Sequence, residues 1–134
     1  MRLTRRYRFA ASHRLNTGAL TPEENASLYG KCNNPFGHGH DYVLDVSVEG
    51  PVDASGQIVG REALDALVQK EVLDRVDHRN LNCDLPELRD RVATTENLAS
   101  VIEDLLKRQW SLPARLARVR ISETARNTFE LETQ

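Results

Sequence analysis

The feature that most constrains this chain is the alternation of side chains between residues 38 and 48. A repeat of two fits an extended strand, whose successive side chains point to opposite faces, and it does not fit a helix. The even positions share one face and comprise His38, His40, Tyr42, Leu44, Val46 and Val48. This face is apolar along most of its length and begins with two imidazoles. We expect a sheet with a buried face that ends in a histidine pair.

The other segments indicate the fold class. Residues 3–13, 117–123 and 129–131 predict three further strands by alternation. Residues 61–76 and 94–110 predict two amphipathic helices, because their apolar side chains recur at spacings of three and four. The order strand, strand, helix, helix, strand, strand is typical of the α+β class. We therefore predict a four-stranded antiparallel sheet with two helices on one face.

Size and composition restrict the class of protein. The chain has 134 residues, enough for one hydrophobic core, so we predict a single domain over residues 1–134. Its 18 basic and 20 acidic residues give a net charge of −2, which argues against a nucleic-acid partner. No apolar stretch follows the basic start or reaches the length of a membrane span. Two cysteines are too few for a disulfide framework, and we expect a cytoplasmic protein.

Three of the four histidines can meet at one end of the sheet. If the first two strands pair antiparallel, His13 at the end of the first lies beside His38 and His40 at the start of the second. Neutral imidazoles suit zinc, and three of them leave a fourth coordination position open, as in catalytic zinc sites. The alternative is a loop at residues 37–40 whose histidines lie on the surface. The third histidine favours a metal site.

A long polar connection, residues 14–37, joins these two strands and carries no obvious element. Connections of this length are usually functional. Cys32 lies in it, six residues before His38, and has two possible roles in the site. As a fourth ligand it would close the metal centre. As a free thiolate, with its pKa lowered by a cation such as Lys31, it would accept a proton from substrate.

Other polar residues have both a structural and a functional interpretation. Asp77 and His78 directly follow the first helix, where they either interact with the helix dipole or relay a proton to a nearby thiol. Glu123 shares a strand face with apolar residues, so it either meets a ligand or lies exposed at the strand end. Thr94 and Thr95 cap the second helix by default. For Cys83 no function is indicated.

Taken together, these residues resemble the 6-pyruvoyl-tetrahydropterin synthase family, which includes a bacterial branch of 6-carboxy-tetrahydropterin synthases. Five segments carry the resemblance and occur in the family's order along nearly the whole chain. They are residues 9–15, 30–40, 77–81, 94–99 and 122–124. Each alone is modest evidence, and the five together make a specific match.

The resemblance implies a tunnelling fold, in which sheets from three subunits join into a barrel and two trimers commonly stack into a hexamer. It implies a lyase that converts 7,8-dihydroneopterin triphosphate, a small pterin substrate, to 6-pyruvoyl-tetrahydropterin with loss of triphosphate. The implied zinc ligands are His13, His38 and His40. The implied proton-transferring residues are Cys32, Asp77 and His78. The implied substrate-binding residues are Glu123, Thr94 and Thr95.

Two positions depart from the family pattern, since members often carry Asn where this chain has Phe36 and Asp41. The branch that makes 6-carboxy-tetrahydropterin for deazapurine (queuosine) biosynthesis is the nearest alternative. The Cys-Asn-Asn-Pro segment and the six-residue spacing from Cys32 to His38 favour the pyruvoyl branch. A metal-binding or pterin-binding module without turnover is an alternative from another class, and it would need no base.

Overall fold

The computed structural model describes all residues from 1 to 134 and contains one five-stranded sheet in the order β3-β1-β2-β4-β5. The strands are β1 Arg2–His13, β2 His38–Glu49, β3 Arg79–Asn80, β4 Arg115–Ser122 and β5 Thr128–Glu132. All pairs are antiparallel except β3 with β1. The sheet and the helices together confirm the predicted α+β class.

The predicted count of four strands is wrong, because β3 adds a fifth. This strand has two residues and pairs parallel with β1, opposing Arg79 to Ala11 and Asn80 to Ser12. Two residues cannot show an alternating pattern, so the sequence offers no signal for it. Its effect is to fix the segment after the first long helix against the end of β1 that carries His13.

The chain forms two long helices and several short ones. The α-helices are α1 Pro22–Tyr29, α2 Arg61–Val68 continued by a π-helical turn Gln69–Leu73 and a last turn Asp74–Val76, α3 Leu81–Asp84 and α4 Thr95–Arg108. Short 3₁₀ turns occur at Gly30–Asn33 and Pro86–Leu88. The two predicted helices correspond to α2 and α4 and are confirmed. None of the helices combines the length and apolar character that a membrane span requires.

Helix α1 lies inside the long polar connection, in which the sequence showed no obvious element. The side chain of Thr21 accepts a hydrogen bond from the backbone N–H of Glu24, and the Glu24 carboxylate accepts one from the N–H of Thr21. This reciprocal capping box is followed by Pro22 at the first helical position. A hydroxyl residue followed three residues later by glutamate was therefore a helix signal in the sequence.

The core lies on one face of the sheet. It is a single cluster of 27 buried residues that joins this face, including Leu44 and Val119, to α2 and α4. The opposite face is polar. There the guanidinium of Arg6 makes two hydrogen bonds, of 2.9 and 3.1 Å, to the carboxylate of Asp45, which is only 5% exposed.

Candidate active site

The pairing of β1 with β2 brings the predicted histidines together. The register opposes His13 to His38 and Ala11 to His40, as expected for an antiparallel pair. His13 is fully buried, and its Nδ1 lies 2.8 Å from the carbonyl oxygen of Ala93. A carbonyl only accepts, so Nδ1 carries the proton and the lone pair lies on Nε2. That Nε2 lies 3.1 Å from Nε2 of His40.

Cys32 reaches the same point from the connection between the strands. It belongs to the 3₁₀ turn Gly30–Asn33, whose position is fixed by a 2.6 Å hydrogen bond from the N–H of Leu15 to the Cys32 carbonyl. The Cys32 sulfur lies 3.7 Å from Nε2 of His40. A thiol and two imidazoles therefore face one another at the end of the sheet.

These donors fit a metal ion. One ligand atom each from His13, Cys32 and His40 lies within 4.8 Å of the others. In a tetrahedral zinc site with Zn–N bonds of about 2.0–2.1 Å, two nitrogens stand about 3.3 Å apart, close to the observed 3.1 Å between the two Nε2 atoms. His38 lies beside this group, with its ring centre 4.7 Å from that of His40. The structure thus brings together two of the three predicted ligand histidines and adds the thiol.

Glu123 directly follows β4 and points to the histidines. Its side chain is only 13% exposed, and Oε1 lies 3.5 Å from Nε2 of His40 and 3.8 Å from Nε2 of His13. The interpretation of Glu123 as an exposed strand-end residue does not hold for this geometry. The carboxylate is a nearly buried anion with imidazoles on one side.

Burial dominates the electrostatics of the site. It lowers the pKa of His13, although the hydrogen bond to Ala93 acts in the other direction, and it lowers the pKa of His40. Burial, with the nearby charge of Glu123, raises the pKa of the Cys32 thiol. The expected lowering by Lys31 is not found, because that side chain is exposed to solvent.

The N-terminus of α4 forms part of the site wall. Thr94 is the helix cap, and its hydroxyl accepts a hydrogen bond from the N–H of Asn97. Thr95 is buried, and its Oγ1 has no hydrogen-bond partner in the protein. Tyr42, which the sequence analysis did not single out for the site, places its hydroxyl 3.5 Å from Nδ1 of His13. Its ring stacks on Phe9 with 4.8 Å between centres.

Phe36 is 93% exposed, on a turn formed by residues 34–37. The N–H of Gly37 donates to the carbonyl of Asn34 at 2.8 Å, and the N–H of Phe36 donates to the Asn34 side chain at 3.0 Å. Gly37 has φ 84°, and a Cβ at this position would lie 3.2 Å from the carbonyl oxygen of His13. Only glycine fits this close approach without strain.

Asp77 and His78 lie at β1 but do not contact Cys32. The Asp77 carboxylate accepts a hydrogen bond from the N–H of Ala10, and the N–H of His78 donates to the Ala10 carbonyl. The His78 ring is 82% exposed, with Nδ1 3.1 Å from Asp77, and its backbone has φ 59°. It borders an open groove of about 620 Å³ shared with Ser12 and Asp41. The side chains of Ser12 and Asp41 belong to the sheet face opposite His13, whereas His40, which also lines the groove, belongs to the same face as His13.

In this α+β fold, imidazole, thiol and carboxylate groups cluster at the end of the sheet. This arrangement is that of an enzyme active site that can hold a metal ion. The family model described as 6-pyruvoyl tetrahydropterin synthase matches residues 2–134. The chain belongs to this family.

Individual relatives agree with this assignment. The chain is 45% identical over 126 residues to the 6-pyruvoyl tetrahydrobiopterin synthase of Dictyostelium discoideum, covering 93% of this chain and 90% of the relative. It is 41% identical over 126 residues to the Homo sapiens protein of the same name, covering 93% and 86%. The structure of Caenorhabditis elegans 6-pyruvoyl tetrahydropterin synthase is similar with a TM-score of 0.93 and 38% identity, covering 100% of this chain and 96% of that one.

Proposed function

We propose that this protein is a 6-pyruvoyl-tetrahydropterin synthase-like lyase. It converts 7,8-dihydroneopterin triphosphate to 6-pyruvoyl-tetrahydropterin, with loss of triphosphate and an internal redox rearrangement. The observation that carries the proposal is the convergence of His13, His40, Cys32 and Glu123 at one end of the sheet. The names of the relatives support the same reaction. The chain acts as one domain over residues 1–134.

We assign a zinc ion to the imidazoles of His13, His38 and His40. The soft and borderline donors of this end of the sheet, imidazole with a neighbouring thiol, support zinc over hard cations such as magnesium. A zinc ion bound there supplies a Lewis acid for the side-chain oxygens of the substrate. His38 shares a strand face with His40, which supports it as the third ligand. The Cys32 sulfur also lies close to His40, 3.7 Å from its Nε2.

Cys32 is the base that removes a proton from the substrate side chain. Its sulfur lies 3.7 Å from Nε2 of His40, on a turn that is hydrogen-bonded to Leu15, just after β1. Asp77 and His78 relay the proton. Because they make no contact with Cys32 within one chain, we assign them to the Cys32 of a neighbouring subunit in a homotrimer or homohexamer with the tunnelling fold. The high exposure of His78 supports this role across an interface.

Glu123 anchors the pterin ring, with Thr94 and Thr95 beside it. A 2-amino-4-oxo pterin presents two adjacent N–H donors, which one carboxylate accepts as a bidentate pair. The low exposure of Glu123 supports a ligand at this wall. Two free cysteines suit a reducing compartment, and we assign the protein to the cytoplasm.

Product identification tests the proposed function. Purified zinc-loaded protein is incubated with 7,8-dihydroneopterin triphosphate, and the products are identified by mass spectrometry. We expect 6-pyruvoyl-tetrahydropterin and free triphosphate in equal amounts. Formation of 6-carboxy-tetrahydropterin would assign the chain to the deazapurine branch. Tight binding of substrate with no product would make it a pterin-binding module.

A further inference from the structure

We propose that Arg14 binds the triphosphate group of the substrate. Arg14 directly follows His13 in the chain, so its side chain starts beside the cluster at the end of β1. It is half-buried and forms no ion pair with a carboxylate, whereas eight of the 15 arginines do. An arginine that is held at an active site without an anion has the chemistry to take one from the substrate. The inference rests on the proposed function.

The protein holds Arg14 in place by its main chain and by one side-chain nitrogen. Asn82 clamps the backbone: its Oδ1 accepts from the Arg14 N–H at 2.6 Å, and its Nδ2 donates to the Arg14 carbonyl at 2.9 Å. The side chain donates from Nε to the carbonyl of Asn33 at 3.2 Å. That carbonyl lies next to Cys32 in the 3₁₀ turn Gly30–Asn33.

These contacts leave the two terminal nitrogens of the guanidinium without protein partners. The guanidinium is planar and offers parallel N–H groups, which match two oxygens of a phosphate. Because Nε is fixed beside Cys32, the free end projects from the segment that carries the proposed base. Lys31, exposed on the same turn, adds a second positive charge.

The nearby carboxylates do not neutralise this charge. Glu123 lies against the imidazoles of His13 and His40. Asp84, two residues after Asn82, accepts a hydrogen bond from the N–H of Asn80. A triphosphate beside Arg14 would therefore meet an unpaired cation. When the reaction releases the triphosphate, the departing anion would already be bound by the protein.

The test compares two ligands that differ only in phosphate. In a Cys32→Ala background, which prevents turnover, calorimetry measures the affinity for 7,8-dihydroneopterin triphosphate and for 7,8-dihydroneopterin. We expect Arg14→Gln to weaken triphosphate binding by on the order of tenfold or more and to leave dihydroneopterin binding unchanged. Arg14→Lys keeps the positive charge but lacks the parallel N–H groups of the guanidinium. It should therefore bind the triphosphate more tightly than Arg14→Gln does and less tightly than the background protein.

Arg61→Gln is the matched control. It removes the same charge from an exposed arginine near Arg2, at the opposite end of β1 from His13. This variant should bind both ligands as the background protein does. Equal weakening of both ligands by Arg14→Gln would show a structural role and overturn the inference, as would an unchanged preference for triphosphate. A background protein that binds neither pterin refutes the proposed function, and the inference falls with it.

Discussion

At the scale of single residues, His78 combines a backbone cost with solvent exposure. Its φ of 59° lies in the left-handed region, and its ring is exposed, with Nδ1 3.1 Å from the Asp77 carboxylate. A non-glycine residue in this region costs about 1 kcal/mol. The structure retains it directly after Asp77, where the N–H bonds to Ala10. Backbone strain lowers the stability of the fold, and strained residues cluster at functional sites. The strain at His78 therefore supports a functional role for this residue.

We therefore predict that His78→Gly makes the protein more stable and less active. Glycine adopts the left-handed conformation without strain, but it also raises the conformational entropy of the unfolded chain. The free energy of unfolding should therefore rise by less than about 1 kcal/mol. Thermal denaturation followed by circular dichroism measures this change, and a turnover assay measures the loss of activity. Arg79→Gly is the control, because Arg79 has extended backbone in β3 and glycine there should destabilise the fold. Lower stability of His78→Gly would contradict the assignment of strain.

The zinc content of two variants identifies whether His38 or Cys32 is the third metal ligand. We predict that His38→Ala loses bound zinc, whereas Cys32→Ala keeps about one zinc per chain and loses turnover by about a hundredfold or more. Inductively coupled plasma mass spectrometry of protein purified without chelators measures the zinc. The reverse result, with zinc lost from Cys32→Ala alone, would make the thiol the ligand, in agreement with its 3.7 Å distance from His40.

Residue positions in the site were predictable to different degrees. His13 and His40 follow from alternation and an antiparallel register, because these two rules determine which side chains meet. The carbonyl of Ala93 and the hydroxyl of Tyr42 were not predictable. Their approach to His13 depends on how α4 packs against the sheet, and no local pattern encodes that packing.

At the scale of elements, the connection between β1 and β2 is organised by one buried amide. Asn25 is 2% exposed. Its Oδ1 accepts from the N–H of Thr17, and its Nδ2 donates to the carbonyls of Thr17, Leu20 and Thr21. Helix α1 has only eight residues and would be marginal without such support.

We predict that Asn25→Ala loosens this connection. The Leu20 carbonyl and the Thr17 N–H lose their partner, and the carbonyls of Thr17 and Thr21 keep only a backbone donor. Local stability should therefore fall by about 1–3 kcal/mol. Hydrogen exchange should show faster exchange across α1 and the Gly30–Asn33 turn, with the strands unchanged. Glu23→Ala, on the exposed side of the same helix, should leave exchange unaltered beyond its first turn. Equal protection in both variants would contradict the role of the amide.

A second element contact joins β1 to α2 and depends on pH. Arg5 makes two hydrogen bonds, of 3.1 and 2.6 Å, to the carboxylate of Asp65, and the Tyr7 hydroxyl donates a third at 2.7 Å. These bonds, chiefly those from Arg5, hold the pKa of Asp65 below its usual value. The stabilisation is therefore complete above the unfolded-state pKa, about 3.9, and is lost as pH falls through the lower folded-state pKa.

Comparison of the parent with Asp65→Asn tests this contact. At pH 7 the parent should be more stable, by less than about 1 kcal/mol because the pair is partly exposed to solvent. The difference should shrink as the pH of urea denaturation is lowered below 4, because the parent then loses the same charge. A difference that stays constant from pH 7 to acid would show that packing, and not charge, joins the two elements.

Whether a helix or strand could be predicted from the sequence depended mainly on its length. Helices α2 and α4 and the four longer strands were predicted because each has enough residues to display a period. Strand β3 was not, since two residues show no alternation, and the π-helical turn Gln69–Leu73 was not, since its five residues span only about one turn of helix. Helix α1 was missed because its apolar pattern is weak, although its capping box is recognisable in the sequence.

At the scale of the whole molecule, the sheet leaves backbone groups unpaired at both edges. Strand β5 has no neighbour on its outer side, and β3 covers β1 only at Ala11 and Ser12. Natural proteins cover or blunt such edges. The face opposite the core carries ion pairs such as Arg6 with Asp45, so it offers no apolar surface for a partner. The edges are the places where we expect subunits to join.

We predict that the protein is oligomeric and that its active sites are shared between subunits. Light scattering should detect no 15.1 kDa species at micromolar concentration. Cys32→Ala and His78→Ala should each be inactive alone, and refolding them together should restore part of the activity, because mixed oligomers contain sites with both native residues. A fully active monomer would contradict the prediction, and so would mixtures that remain inactive.

The hydrogen bond from His13 to the carbonyl of Ala93 has a consequence for how this site tolerates genetic change. Every amino acid supplies a backbone carbonyl, so no substitution at position 93 can delete the acceptor. Only the size of the side chain is constrained there, because Ala93 is 1% exposed. The tautomer of a candidate ligand is thus set by a group that point mutation cannot remove. The orientation of His13 is protected against sequence drift in a way that a side-chain partner could not provide.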